Sequence, residues 1–155
     1  MKKEIKNNGE VIVYNIRKLE EKDVLQVNNI YISGFNREPN EDYFSIVKDK
    51  NYLCFVAEYE NNLVGYINLL VVDSVAEIIN VSVLDDFRKK GVGTQLIDFS
   101  IKYLIENQFT GVMLEVNENN LPAINLYKKI GFKEVYVRRK YYEGKYDAII
   151  MKLDF

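Results

Sequence analysis

Ile78-Ile79-Asn80-Val81-Ser82-Val83-Leu84, followed after a short link by Arg88-Lys89-Lys90-Gly91-Val92-Gly93-Thr94, is the stretch on which the fold turns. An apolar run of this kind reads as a strand. The basic, glycine-bearing loop after it opens an amphipathic helix, and the first turn of a helix leaves backbone N–H groups without partners. The helix dipole adds partial positive charge at that end, so strand, loop and helix together form an anion site. Gly91 and Gly93 let the main chain approach the anion closely, and Arg88 can fork onto phosphate oxygens.

Two common phosphate loops do not fit. A Walker loop needs Lys-Ser/Thr after its second glycine, which is missing here, and a dinucleotide fingerprint needs a third glycine where Leu96 stands. Arg-x-x-Gly-x-Gly after a strand remains. The competing reading is a plain turn with a solvated basic run.

Composition narrows the field further. The 155 residues suit one domain. A formal net charge of -2 provides no basic face for nucleic acid or an anionic membrane, and no apolar run approaches a membrane span. Residues 1–9 lack the apolar segment of a signal peptide. The single Cys54 suits a reducing cytoplasm. Histidine is absent, which removes classical zinc clusters and Ser-His or Cys-His catalysis; no metal is expected. Any general base must be a carboxylate, a tyrosine or water.

Outward from the loop, the periodicities predict β-αα-βββ-α-β-α-ββ, an α/β arrangement (an α+β mixed sheet) with helices on its faces. Residues 11–17 read as a strand apolar on both sides, so both sides are expected to be covered. Asp23 reads as the cap of a helix to about Gly34, with Val24, Val27, Ile30 and Tyr31 as its stripe. Tyr43, Phe44 and Val47 mark a short second helix. Strands at 52–59 and 63–72 flank Glu60-Asn61-Asn62, and another runs over 76–84. A helix from Val92 to about Asn107 carries Val92, Leu96, Ile97, Ile101, Leu104 and Ile105 on one face. A strand at 111–116 precedes a helix capped by Asn119-Asn120 and ended by Gly131. Strands at 132–142 and 146–153 close the chain around Glu143-Gly144-Lys145.

Three stretches resemble the GNAT superfamily of N-acetyltransferases. Residues 78–96 look like its strand, pyrophosphate loop and helix. Leu114-Glu115-Val116 with Asn120 and Ala123-Ile124-Asn125-Leu126-Tyr127-Lys128-Lys129-Ile130-Gly131-Phe132 looks like its next strand and helix. Arg138-Arg139-Lys140-Tyr141-Tyr142 and Asp147-Ala148-Ile149-Ile150-Met151 are similar to the C-terminal strands of ribosomal-protein-alanine N-acetyltransferases, the RimI type.

The resemblance implies a single GNAT domain over 11–155 behind an extension at 1–10. Its sheet is expected to be mostly antiparallel and seven-stranded, parted between the fourth and fifth strands. Acetyl-CoA is the implied cosubstrate. Val81, Ser82 and Val83 would bond its pantetheine arm, as would Asn120. Arg88, Lys89, Lys90, Gly91, Val92, Gly93 and Thr94 would wrap its pyrophosphate, and Tyr127 would lie near the thioester sulfur. The segment 32–43 lacks the Phe-Pro-Trp-Ser stretch common in RimI-type enzymes, so the acceptor side is the least constrained.

The residues permit direct acetyl transfer. Tyr127 is the candidate acid for the departing thiolate; its spacing from Ile124 and Ile130 also permits core packing. Glu115, inside an apolar strand, is the candidate base, because a charge there is costly unless it faces a cleft. Glu77 is its rival, with a solvated strand end as the alternative. Cys54 reads as a buried apolar residue rather than an acetyl carrier. A terminal α-amine has a pKa of about 8 against about 10.4 for lysine, which favours an α-amine at a site without histidine. This favours a protein N-terminus as acceptor, and the resemblance implies one of ribosomal-protein type. The alternatives are a small amine such as a polyamine, amino acid or antibiotic, with Glu38, Glu41 and Asp42 to test for it, or a non-catalytic acyl-CoA-binding module. A monomer or homodimer, with neither nucleic acid nor membrane as partner, completes the expectation.

Overall fold

The computed structural model describes residues 1–142 and 144–155, with only the main chain at Tyr142. Twelve principal elements follow one another: β1 (Lys2–Asn7), β2 (Glu10–Lys18), α1 (Val24–Phe35), α2 (Tyr43–Ile46), β3 (Tyr52–Tyr59), β4 (Asn62–Val72), β5 (Val75–Val83), α3 (Val92–Glu106), β6 (Gly111–Asn117), α4 (Leu121–Ile130), β7 (Lys133–Tyr142) and β8 (Tyr146–Asp154). The strands form one sheet in the order β1-β2-β3-β4-β5-β6-β8-β7. β5 and β6 run parallel, whereas the other neighbours are antiparallel.

The expected seven strands are thus eight. Residues 2–7, read from sequence as part of an extension, pair along β2 with Ile5 opposite Ile12. Ile5 is the buried side chain of this lysine-rich segment, which explains why its alternation is hard to see. The turn at Glu60-Asn61 has φ of 50° and 65°, the paired left-handed geometry that matches strand twist in a tight hairpin. The turn read at Glu143-Gly144-Lys145 includes Glu143, which lies outside the described residues.

The sheet separates two apolar layers. Beneath α3 and α4 lie Ile16, Phe55, Ile67, Leu96, Leu104 and Leu114. Beneath α1 and α2 lie Val24, Val27, Tyr31, Tyr43, Val56 and Tyr66. Complete burial of a side chain such as Leu96 or Leu104 contributes about 1.5–3 kcal/mol, so each layer pins its helices to the sheet.

Several local expectations need correction. Val11 and Val13 are exposed, so among the described residues β2 is covered there on the side of Ile12, Tyr14 and Ile16. Ile105 and Phe44 are also exposed, while Ser100 and Ile46 occupy the buried positions. Ser100 satisfies its hydroxyl on the Leu96 carbonyl. Asp23 sits before α1 without a side-chain cap bond. Its carboxylate instead accepts two bonds from Arg17, at 2.7 and 2.9 Å, and Arg17 also reaches Glu58 at 2.8 Å. This ion cluster ties β2 and β3 to the start of α1.

Candidate active site

The loop between β5 and α3 begins with a helical turn at Asp85–Phe87. Lys89 and Gly91 both adopt positive φ, 58° and 94°. At Gly91 this backbone strongly favours glycine, although a Cβ placed there would meet nothing within 4 Å. The first α3 bond runs from the Gln95 N–H to the Gly91 carbonyl at 3.0 Å. The N–H groups of Val92, Gly93 and Thr94 precede any possible intrahelical acceptor. Arg88 donates through Nε to the Val83 carbonyl at 2.7 Å and pairs with Asp85 at 2.7 Å. Arg88, Lys89, Gly91 and Thr94 line one hollow. Lys90 turns the other way, donating to the Asp86 carbonyl and lining a separate groove with Asn8 and Glu10.

A break in strand pairing continues this loop into the molecule. β5 pairs with β6 only where residues 75–78 oppose 111–114. Beyond Ile78 the two strands part, while the other edge of β5 stays paired, with Val81 opposite Ile67 and Val83 opposite Gly65. The free edge at 79–83 therefore presents main-chain groups to an extended ligand, as an added strand would use them. The register shifts where β5 carries an extra residue, Ile79, between the pairs Asn68–Asn80 and Leu69–Ile78. Such a bulge re-aims the side chains that follow it.

Three hollows run along this edge. The largest, a cleft of about 370 Å³, includes Tyr31, Asn80, Val81, Glu115, Asn120 and Tyr127 in its walls. It shares Phe35 and Val81 with a second hollow that reaches Ser82, Val83 and Arg88. That one shares Val83, Arg88 and Gly93 with the hollow at the helix start. Of the catalytic and cofactor-binding residues expected from sequence, the track from cleft to loop passes all but Lys90 and Glu77.

Glu115 reaches the cleft from β6, with its side chain 17% exposed and Oε1 2.9 Å from Arg138 Nη1. Arg138 in turn lies over the Tyr141 ring, 5.4 Å from its centroid. Glu77 is half-buried rather than a solvated strand end. Burial pushes its carboxyl up from the ordinary 4.5, the Glu115 charge adds to this, and Arg138 opposes it. Tyr127 both lines the cleft and packs against Phe132, 5.7 Å between ring centroids. Burial pushes its hydroxyl above the ordinary 10, so it stays protonated at neutral pH. Asn120 caps α4 by accepting the Ala123 N–H at 3.3 Å. Cys54 is buried, and burial pushes its thiol well up, which leaves it inert.

Two features of the site have little trace in the sequence. The Glu115–Arg138 pair joins β6 to β7 across β8, a contact that no local spacing reveals. Asn80 accepts a hydrogen bond from the Tyr43 hydroxyl at 3.1 Å, joining β5 to the short α2. The only available signal was a polar residue inside an apolar strand.

Residues 16–132 match the acetyltransferase (GNAT) family, and the chain belongs to that family. It is 34% identical to an N-alpha-acetyltransferase of Sulfurisphaera tokodaii, over 96% of this chain and 95% of the relative. The crystal structure of the ribosomal-protein-S18-alanine N-acetyltransferase from Escherichia coli superposes with a TM-score of 0.84 at 30% identity, covering 91% of this chain and 93% of that one. A Bacillus anthracis structure in complex with acetyl coenzyme A, described as a streptothricin acetyltransferase, superposes with a TM-score of 0.78 at 26% identity, covering 92% of this chain and 99% of that one. The fold expected from sequence is therefore observed, with one strand more. Among the described residues no helix is long and apolar enough to cross a membrane.

Proposed function

We propose that this enzyme transfers the acetyl group of acetyl-CoA to the N-terminal α-amine of a protein, of the ribosomal-protein type. The observation that carries the reading is the cleft at the parting of β5 and β6, which has Glu115 and Tyr127 in its walls and leads directly to the glycine loop. The names of the Sulfurisphaera and Escherichia relatives support the α-amine as acceptor. The site fits the cosubstrate: an unpaired strand edge suits an extended amide-bearing arm, and the free amides at 92–94 with Arg88 suit a diphosphate.

Acetyl-CoA supplies an activated thioester. Around it, the free edge at 79–83 and the loop hold the carrier, and proximity to the amine lowers the entropic barrier. Glu115 takes the amine proton, directly or through one water, as nitrogen bonds to the carbonyl carbon. The carbon–sulfur bond breaks, and the Tyr127 hydroxyl gives its proton to the sulfur. Arg138 holds one oxygen of Glu115, leaving the other for the amine. A reducing cytoplasm suits an enzyme whose single thiol is buried.

A polyamine acceptor would call for an acidic wall. Of Glu38, Glu41 and Asp42, Glu41 lines the cleft, whereas Asp42 is committed to capping α2 through the Phe44 N–H and Ser45 hydroxyl. Thiol release with acetyl-CoA and a panel of acceptors tests the reading. Turnover on peptides beginning with Ala or Ser is expected. Turnover on spermidine alone would transfer the enzyme to small amines, and cofactor binding without turnover on any acceptor would refute catalysis.

A further inference from the structure

The bulge in β5 sets the side of the sheet, and so the wall of the cleft, on which Asn80 lies. In regular alternation it would share the side of Ile78, which packs into the apolar layer beneath α3. The extra residue Ile79 shifts the register and turns Asn80 to the opposite side, towards Tyr43 on α2. A polar side chain is thus delivered to the acceptor wall rather than lost in the core.

The orientation of its amide is also set. Tyr66 is fully buried, and its ring meets that of Tyr43 edge-on at 5.7 Å between centroids. The Tyr66 hydroxyl has no hydrogen-bond partner among the described residues. A hydroxyl carries one proton. The Tyr43 hydroxyl gives its proton to Asn80, which answers with its carbonyl oxygen. Asn68, opposite Asn80 on β4, offers no competing bond, since neither of its amide atoms is hydrogen-bonded among the described residues. The Asn80 Nδ2 is left as a donor at the cleft without a partner among the described residues.

We propose that Asn80 is a specificity-determining residue that donates from Nδ2 to the carbonyl oxygen next to the acceptor amine, its polarity fixed by Tyr43. This rests on the α-amine reading and deepens it: the ligand class is an α-aminoacyl group, and an alkyl amine lacks the oxygen. A site built to bond a substrate oxygen rejects the analogue without it, because the buried donor is then left unpaired.

The test compares an Ala-starting peptide with the same peptide carrying an E-alkene in place of its first amide bond. Their ratio of kcat/KM, taken across enzyme variants, cancels the difference in amine basicity. The wild type should prefer the amide beyond that basicity difference by about tenfold. Asn80→Asp keeps an acceptor for Tyr43 and removes the donor, and it should abolish that preference. Tyr43→Phe frees the amide to turn and should reduce the preference part-way. Acetyl-CoA affinity should be unchanged in Tyr43→Phe. An equal fall on both acceptors, as expected of a structural role or a bond to the thioester, overturns the inference, and so does an unaltered ratio. Failure of the wild type to acetylate the peptide at all would instead overturn the α-amine reading, and this inference with it.

Discussion

Gly91 provides a quantitative check on the loop, because strain and charge can be separated there. Its φ of 94° is unfavourable for any residue with a Cβ, yet a Cβ would meet no atom within 4 Å. Gly91→Ala therefore costs only the backbone term, about 1–2 kcal/mol. For a chain of this size that lowers Tm by about 2–8 °C. Gly91→Asp carries the same strain and adds a carboxylate beside the N–H groups proposed to hold the diphosphate. One charge pair at about 4 Å is worth about 1 kcal/mol in water and about 4 kcal/mol at an effective dielectric near 20. The Asp variant should therefore bind acetyl-CoA more weakly than the Ala variant by about fivefold to several hundredfold, less so at high salt. Thermal melts and calorimetry at two ionic strengths read the two effects separately. Equal affinity of the Ala and Asp variants would refute the placement of the phosphates at this loop.

Further outcomes follow from the same geometry. Tyr127→Phe should lower kcat about 10²-fold or more, the range of a general acid, with acetyl-CoA affinity unchanged by calorimetry. Since burial raises the Tyr127 pKa above 10, the wild-type pH–rate profile should show no loss of this acid below that pH. Glu77 has a raised folded pKa, so its contribution to stability is full below 4.5 and is lost as pH rises through the folded value. Denaturant melts of Glu77→Gln should accordingly gain on the wild type as pH rises through that window. Asp23 behaves oppositely: burial works to raise its carboxyl, but the Arg17 hydrogen bonds, the Glu20 N–H and the Arg17 and Lys22 charges together hold it below the ordinary 3.8. Its stabilisation is present above that value and fades as pH falls through the folded one. Asp23→Ala should cost about 3 kcal/mol at neutral pH, measured by chemical denaturation, by leaving part of Arg17 uncompensated.

Features encoded over a few residues were legible in the sequence. The α1 stripe Val24, Val27, Ile30 and Tyr31 is buried as its spacing implies, Asn120 caps α4, and Gly131 ends it with φ of 123°. Glu115 stood out because an acid inside an apolar strand needs a reason, and the cleft supplies one. Features set by distant pairing were not legible. The six residues of β1 include one buried apolar side chain, so only the partner strand reveals them. The bulge at Ile79 arises from its register against β4 and leaves the composition of β5 unchanged. Asp23 has the look of a helix cap, but the half-buried Arg17 on the preceding strand competes for its carboxylate and wins with two charge-assisted bonds.

The most direct test of the account is a crystal structure of the enzyme with coenzyme A. The diphosphate should lie against the N–H groups of residues 92–94, the extended arm alongside residues 79–83, and the sulfur near the Tyr127 hydroxyl. A carrier bound elsewhere, with the β5–β6 opening and the start of α3 vacant, would contradict it.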